Sequence, residues 1–280
     1  MHLDRQIQIA SILSDDDLIS SDKFVAGSGN NFQFLKRDFI FRPGRWRGKV
    51  VLPIWAQPWK YTSRNLVIGH SDIATSRSDI MKIKLLGPKK IFGTNLWNYQ
   101  DYSESIPLGL TNYCDDSPLH LIYGNNDHLR KASLEQPFNT NFDASIYVNF
   151  SVHTNVTVRR EVLEILKVSG NTKYGDFDPT EKGRIAYLKS MRKSNFTICP
   201  EGNGVDTHRL WETIYMGGIP IVLRSKYLPV VLNRLPVIQL DHWRSILDRQ
   251  FLESEWNRIQ STSFDLQSIR SSYWLKKFMG

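Results

Sequence analysis

Cysteine is scarce: Cys114 and Cys199 are the two thiols among 280 residues. Two cysteines do not build a zinc cage, and such sparse use fits a reducing compartment better than a disulfide-stapled secreted domain. Long apolar runs are missing as well. No stretch of eighteen apolar residues occurs, so no segment reads as a membrane-spanning helix. The opening MHLDRQIQIASILSDDD is too polar, and its apolar part too short, for a secretory signal. The expectation is a soluble, cytoplasmic protein without membrane insertion, in which the sequons at Asn149, Asn155 and Asn195 are chance matches. Blocks of five like charges and nucleic-acid-binding motifs are also absent. The formal charge of +8 is therefore read as attraction for a small polyanion rather than for nucleic acid. No internal repeat or low-complexity segment is evident.

What is present describes a globular α/β protein. The chain is 41% apolar and 23% charged, and is long enough for two domains. Ile7, Ile9, Ile12 and Leu13 suit one side of a short helix that ends at three aspartates, Asp15 to Asp17. Phe32 to Phe41 has no clean period, and Arg42 to Lys49 is basic and turn-like. Short continuous apolar runs follow at 50–55, 66–69, 91–93 and 106–110, each ending in a polar loop, as buried strands of a parallel sheet do. Residues 119–123 read as another strand and 124–141 as loop, which places a domain boundary near residue 142. Beyond it come strand 145–150, helix 158–167, strand 195–199, a helix from Thr207, and strands 219–223 and 237–240. The last forty residues look helical, with Phe264, Leu266, Ile269, Tyr273, Trp274 and Phe278 as a buried stripe.

The stretch SNFTICPEGNGVDTHRLWETIYMGGIPIVLRS, residues 194–225, carries the strongest chemical signal. A buried strand runs into a glycine loop and then into a helix with Thr207 at its N-cap position, so backbone N–H groups can meet an anion there. Gly202 and Gly204 permit backbone angles closed to other residues and let a ligand approach the main chain, although an ordinary strand-to-helix turn favours glycine too. Arg209 and Glu212 share one helical face. A guanidinium can hold a diphosphate and stabilise it as it leaves, and the glutamate can accept from both ribose hydroxyls. The alternative is a surface ion pair between the two. Ser151 and Arg159 stand where they can bind phosphate, and Arg224 with Ser225 where they can contact base or ribose.

A general base is expected in the first domain. Asp72 is the first choice, in His70-Ser71-Asp72 after the strand 66–69, because a carboxylate is already ionised at neutral pH. His70 is the alternative base or a hydroxyl-orienting group, and Asp115 with Asp116 forms a second candidate pair. Each aspartate also suits a plain helix cap or turn. Asp176 and Asp178 offer an Asp-x-Asp pair for a divalent metal, but their Gly and Pro neighbours favour a solvated loop.

The segment PEGNGVDTHRLWETIYMGGIPIVL resembles the nucleotide-sugar motif of exostosin-type, family 47, glycosyltransferases. Cys199, Pro200, Gly202, Gly204, Arg209, Glu212, Gly217, Ile219 and Pro220 fill matching positions, while Glu201 stands where the family often has Arg. The specific likeness covers about thirty residues. In length the chain is similar to the short soluble exostosin-like enzymes encoded by large algal viruses, one of which is a xylosyltransferase. The resemblance implies a GT-B fold, two Rossmann-like domains with parallel sheets facing a cleft: residues 1–142 on the acceptor side, 143–261 binding the donor, and a C-terminal helix within 262–280 packing back on the first. It implies a metal-independent transfer of a sugar, with UDP-xylose as the leading donor, to a glycan or glycoprotein hydroxyl; the favoured chemistry is inverting, with retention of configuration the alternative left open. Asp72 or His70 then acts as base and Arg209 takes the leaving charge. Donor contacts fall to Ser151, Arg159, Glu201, Gly202, Asn203 and Gly204, and to Thr207, His208, Arg209, Glu212 and Arg224. No cofactor beyond the nucleotide sugar is required. The other classes left open are a metal-dependent transferase using Asp176 and Asp178 and a non-catalytic nucleotide- or carbohydrate-binding protein.

Overall fold

A computed structural model describes residues 2–20, 32–36, 65–69, 74–85, 87–99, 101–113 and 117–279. Asp72, His70, Asp115, Asp116, Cys114 and the 42–49 and 50–55 segments lie outside the described residues.

Two parallel sheets organise these residues. The first has the order β1-β2-β3-β4, with β1 Phe32–Lys36, β2 Asn65–Gly69, β3 Lys90–Gly93 and β4 Ser103–Ser105. The second has the order β6-β5-β7-β8-β9, with β5 Ile146–Val148, β6 Thr172–Tyr174, β7 Phe196–Ile198, β8 Ile219–Leu223 and β9 Ile238–Leu240. All pairings between these strands are parallel, in register such as Phe196↔Ile219 and Ile221↔Ile238. Parallel neighbours need crossover connections. In the first sheet, α2 (Arg77–Lys84) crosses from β2 to β3. In the second, the crossovers are α5 (Val156–Ser169), α6 (Glu181–Lys193) and α7 (His208–Tyr215). The sequence-based expectation of a mixed α/β architecture with parallel sheets holds, and that architecture is compatible with a GT-B fold.

Each central strand is apolar on both faces because both faces are covered. In β2, Leu66 and Ile68 join Ile80, Ile83 and Ile91 in a small cluster on the α2 side. Val67 faces the other way, into the main core with Phe92 and Phe278. Phe278 belongs to the last helix, α9 (Ser271–Met279), which follows α8 (Arg249–Ser261). Its ring packs on that of Phe92 at 5.0 Å between centres, tilted by 54°, and its carbonyl accepts from Asn65 Nδ2 at 2.7 Å. Lys277 and Lys90 both bind Glu104. The chain terminus thus closes on the first sheet through an apolar contact and a buried-edge charge network.

Several elements depart from the sequence expectation. Residues 119–123 form no strand; Pro118 opens a short helix, α3 (Pro118–Tyr123), where its missing N–H costs nothing. The expected loop at 124–141 contains α4 (Asp127–Glu135), whose buried residues are His128, Leu129 and Ala132. Residues 106–110 run irregularly, and the strand of that region is the polar Ser103–Ser105. There Ser103 and Ser105 are buried because their hydroxyls donate to the carbonyls of Trp97 and Tyr227. α1 (His2–Ser14) takes the N-terminal apolar pattern in part, burying Ile9, Ile12 and Leu13 but leaving Ile7 exposed.

Candidate active-site cleft

Between Leu108, Thr111 and Tyr123 on one side and the second sheet's carboxyl-end loops on the other lies a cleft of about 790 Å³. Ligands of open parallel sheets gather at the carboxyl ends of the strands. The loops after β5 and β7 and the start of α7 make most of its wall.

β7 is buried throughout and β8 in all but Leu223, so the chain between them must turn at the sheet's edge and return as α7. The helix ends at Gly217, whose φ of +77° is the left-handed conformation of a helix C-terminus. A Cβ there would overlap the ring of Phe138. The reason for glycine at 202 differs from the sequence expectation. Neither Gly202 nor Gly204 has a positive φ. A Cβ on Gly202 would stand 2.7 Å from Arg159 Nη2, so the residue is small because a guanidinium lies beneath the loop.

Arg159, 6% exposed, fills its donors with main chain. Nε donates to the Glu201 carbonyl at 3.0 Å, Nη1 to Ser151 at 2.6 Å and Nη2 to Pro200 at 3.4 Å. Burial lowers its pKa to about 10, and the charge of Arg209 adds to the effect. It clamps the loop after β7 to the loop after β5. Arg209 is wired in another way: its Nε is buried yet has no hydrogen-bond partner, and its guanidinium lies 6.0 Å from the Phe150 ring. Thr207 occupies the N-cap position of α7 but its hydroxyl makes no capping bond; it too is buried without a partner. Buried polar groups are normally paired. Here two unpaired groups line the cleft at one helix N-terminus.

Glu212 lines the same cleft at 3% exposure and makes no ion pair with Arg209. Its Oε1 accepts from Arg184 Nη2 at 2.7 Å and its Oε2 from the Tyr187 hydroxyl at 2.7 Å. Burial alone would raise its pKa, but the charge and hydrogen bond of Arg184, then Tyr187, hold it below the usual carboxylate range. Arg184, on α6, is fully buried. The spacing of motifs in the sequence singles out neither it nor Tyr187. Arg184, Ile185, Leu188, Met191 and Arg192 are the buried residues of α6, a helical stripe in which two arginines take apolar positions and so mask its period.

The loop is also tied to Asn95, Leu108 and Gly109. Asp206, 2% exposed, accepts from Leu108 N at 2.8 Å and from Trp211 Nε1, while its own N–H donates to Asn95 Oδ1 at 2.7 Å. Burial pushes its carboxyl pKa up to about 7. His208 Nδ1 lies 2.8 Å from the Gly109 carbonyl. Behind the cleft, Tyr215 at the end of α7 accepts from Ile19 N and donates to the Ile269 carbonyl, fixing the helix to both chain ends. Cys199 is buried with its thiol pushed up to about 12, which leaves it no nucleophilic role.

Of the residues singled out from sequence, Ser151, Arg159, Gly202, Asn203, Gly204, Thr207, His208, Arg209 and Glu212 line the cleft. Glu201 does not, although its carbonyl holds Arg159. Arg224 lies in a separate surface groove, paired with Asp241 at 3.1 Å, and is not among the residues that line the cleft. Asp176 and Asp178 are exposed; Asp178 Oδ1 accepts from Thr180 N at the start of α6. Among the described residues no three His, Cys, Asp or Glu side chains converge as a metal site. The proposed bases Asp72 and His70 lie outside the described residues. Asn195 is 2% exposed and accepts from Asp143 N, so its sequon is buried.

Residues 132–245 match the family model of the exostosin GT47 domain. That span contains β5 to β9 and all of the cleft except the Leu108, Thr111 and Tyr123 side. A probable glycosyltransferase of Arabidopsis thaliana is 37% identical over 60 residues, 21% of this chain and 10% of its own length. A second from the same plant is 41% identical over 44 residues, 16% of this chain and 9% of its length. Human ribitol-5-phosphate xylosyltransferase 1 is 29% identical over 96 residues, 31% of this chain and 20% of that protein. The matches thus span between about a tenth and a fifth of these relatives. No helix among the described residues is long and apolar enough to cross a membrane.

Proposed function

We propose that this chain is an exostosin-like glycosyltransferase that moves a sugar from a nucleoside diphosphate to a hydroxyl of a glycan or glycoprotein. The observation that carries the reading is the pair of unpartnered buried groups, Arg209 Nε and Thr207 Oγ1, at the N-terminus of α7 inside a cleft of about 790 Å³. A diphosphate supplies acceptors for both, and the helix end adds favourable potential. The domain match over residues 132–245 and the names of the relatives support the same chemistry.

In this reading Arg209 stabilises charge as the diphosphate departs, a task for which a metal is not needed. Transfer is inverting: Asp72, with His70 as the alternative, takes the acceptor proton from the opposite side. Xylose is the favoured donor sugar, supported by the likeness to the human xylosyltransferase and by the resemblance to the short soluble enzymes of algal viruses.

Incubation with a panel of nucleotide sugars, with and without a chelator, tests the proposal. Release of UDP, greatest from UDP-xylose and unchanged by chelation, is expected. Chelator-sensitive turnover would replace this mechanism with a metal-dependent one. Binding without release would make the chain a nucleotide-binding protein, and no binding of any nucleotide would overturn the reading.

A further inference from the structure

Glu212 reaches the cleft as a carboxylate already half occupied. An ionised carboxylate has about four acceptor directions, and Arg184 and Tyr187 take one on each oxygen. One or more remain on each. Two acceptor oxygens side by side, with no donor among them, suit a vicinal diol and repel a phosphate.

What holds them in that attitude comes from another helix. Arg184 and Tyr187 sit one turn apart on α6. The Arg184 guanidinium lies 4.8 Å from the Tyr123 ring centre and 5.3 Å from that of Tyr187, and Nη2 also donates to the Tyr123 carbonyl at 3.3 Å. Its Nε and Nη1 have no hydrogen-bond partner, and its ion pair among the described residues is with Glu212. A fully buried cation with one counter-charge fixes that counter-charge in place, because rotation of the carboxylate would strand both. Arg209, three residues before Glu212, does not share this pair. Anion-holding and diol-holding groups on α7 are therefore wired separately.

The geometry points to Arg184 and Tyr187 as positioning residues that aim the Glu212 carboxylate at the ribose hydroxyls of the nucleotide, so that the cleft selects a ribonucleotide over its deoxy counterpart. This rests on the nucleoside-diphosphate reading given above, and it deepens that reading by naming what sets ribose selection. Hydrogen bonds to a charged acceptor are strong enough to make the preference about tenfold or more.

Calorimetric titration of the full chain with UDP, 2′-deoxy-UDP, 3′-deoxy-UDP and inorganic pyrophosphate tests it. Wild type is expected to bind UDP at least about tenfold more tightly than one or both deoxy forms. Tyr187→Phe keeps the ring and removes one donor; it should shrink that ratio about threefold or more while pyrophosphate affinity stays within twofold. In turnover the same variant should raise the donor KM and leave kcat unchanged. Arg184→Lys, if folded by its melting curve, should shrink the ratio further; if it does not fold, Tyr187→Phe still decides. Equal weakening of UDP, deoxy-UDP and pyrophosphate would mean a scaffold role and overturn the inference. So would a wild type that binds UDP without discrimination. Failure of both UDP and pyrophosphate to bind would instead overturn the nucleoside-diphosphate reading.

Discussion

The two walls of the cleft are built on different terms. The wall from the second sheet is dense with charge: Arg159, Arg209 and Glu212 line it, and Arg184 lies under it. The facing wall shows Leu108, Thr111 and Tyr123, with no charged side chain among its described residues. In the proposed reading one side holds an anion; the other supplies shape and main-chain anchors, through Leu108 N to Asp206 and the Gly109 carbonyl to His208. Within the charged wall a second contrast appears. Arg159 spends its donors on three carbonyls, whereas Arg209 keeps a buried Nε without a partner. Two arginines in one pocket thus have opposite expected phenotypes, one in stability and one in turnover.

Substitutions sharpen these contrasts. Glu212→Ala leaves the fully buried Arg184 without its counter-charge and should cost about 3–5 kcal/mol of stability, read as a drop in the denaturation midpoint. Arg209→Ala should lower kcat by roughly 10²–10³, about 3 kcal/mol, with little change in melting temperature. If Arg209→Ala unfolded the chain while Arg159→Ala merely slowed turnover, the assignment of the two arginines would be reversed. Arg159→Ala uncouples the two loops and leaves three carbonyls unpaired; a loss of about 1–3 kcal/mol of stability is expected. Thr111→Ala, on the uncharged wall, should stay within about 0.5 kcal/mol in stability and leave UDP affinity unchanged.

Asp206 adds a pH dependence to the joint between the walls. Its pKa is raised from 3.8 to about 7, so the folded chain holds this proton more tightly than the unfolded chain does. Its contribution to stability is fully present below the unfolded value and is lost as pH rises through about 7. Stability measured from pH 4 to 8 should carry this downward slope in wild type and lose it in Asp206→Asn. Parallel curves for the two would remove the buried carboxylate from the pH response.

How much of this was legible follows from what each segment buries. β2, β3, β7 and β8 are short continuous apolar runs because neighbouring elements cover both faces, and such runs are readable directly. The glycine loop, Arg209 and Glu212 were readable from spacing. α6 was not, since arginines at 184 and 192 occupy the inward stripe and mimic a polar segment. With α6 went the partners of Glu212. α3 and α4 bury too few apolar residues to show a period, so α3 read as a strand and α4 as loop. Ser103–Ser105 could not be read as a strand because serines there are buried through hydrogen bonds made by the tertiary fold. The role of Gly202 was hidden for the same reason: its neighbour is Arg159, forty-three residues earlier.

Titration of UDP into wild type and Arg209→Ala, with melting curves for both, tests the nucleoside-diphosphate cleft most directly. Saturable binding to wild type, at least about a hundredfold weaker in a variant with the same melting temperature, is the predicted result. Equal affinity of the two proteins for UDP, or no binding to either, would contradict it.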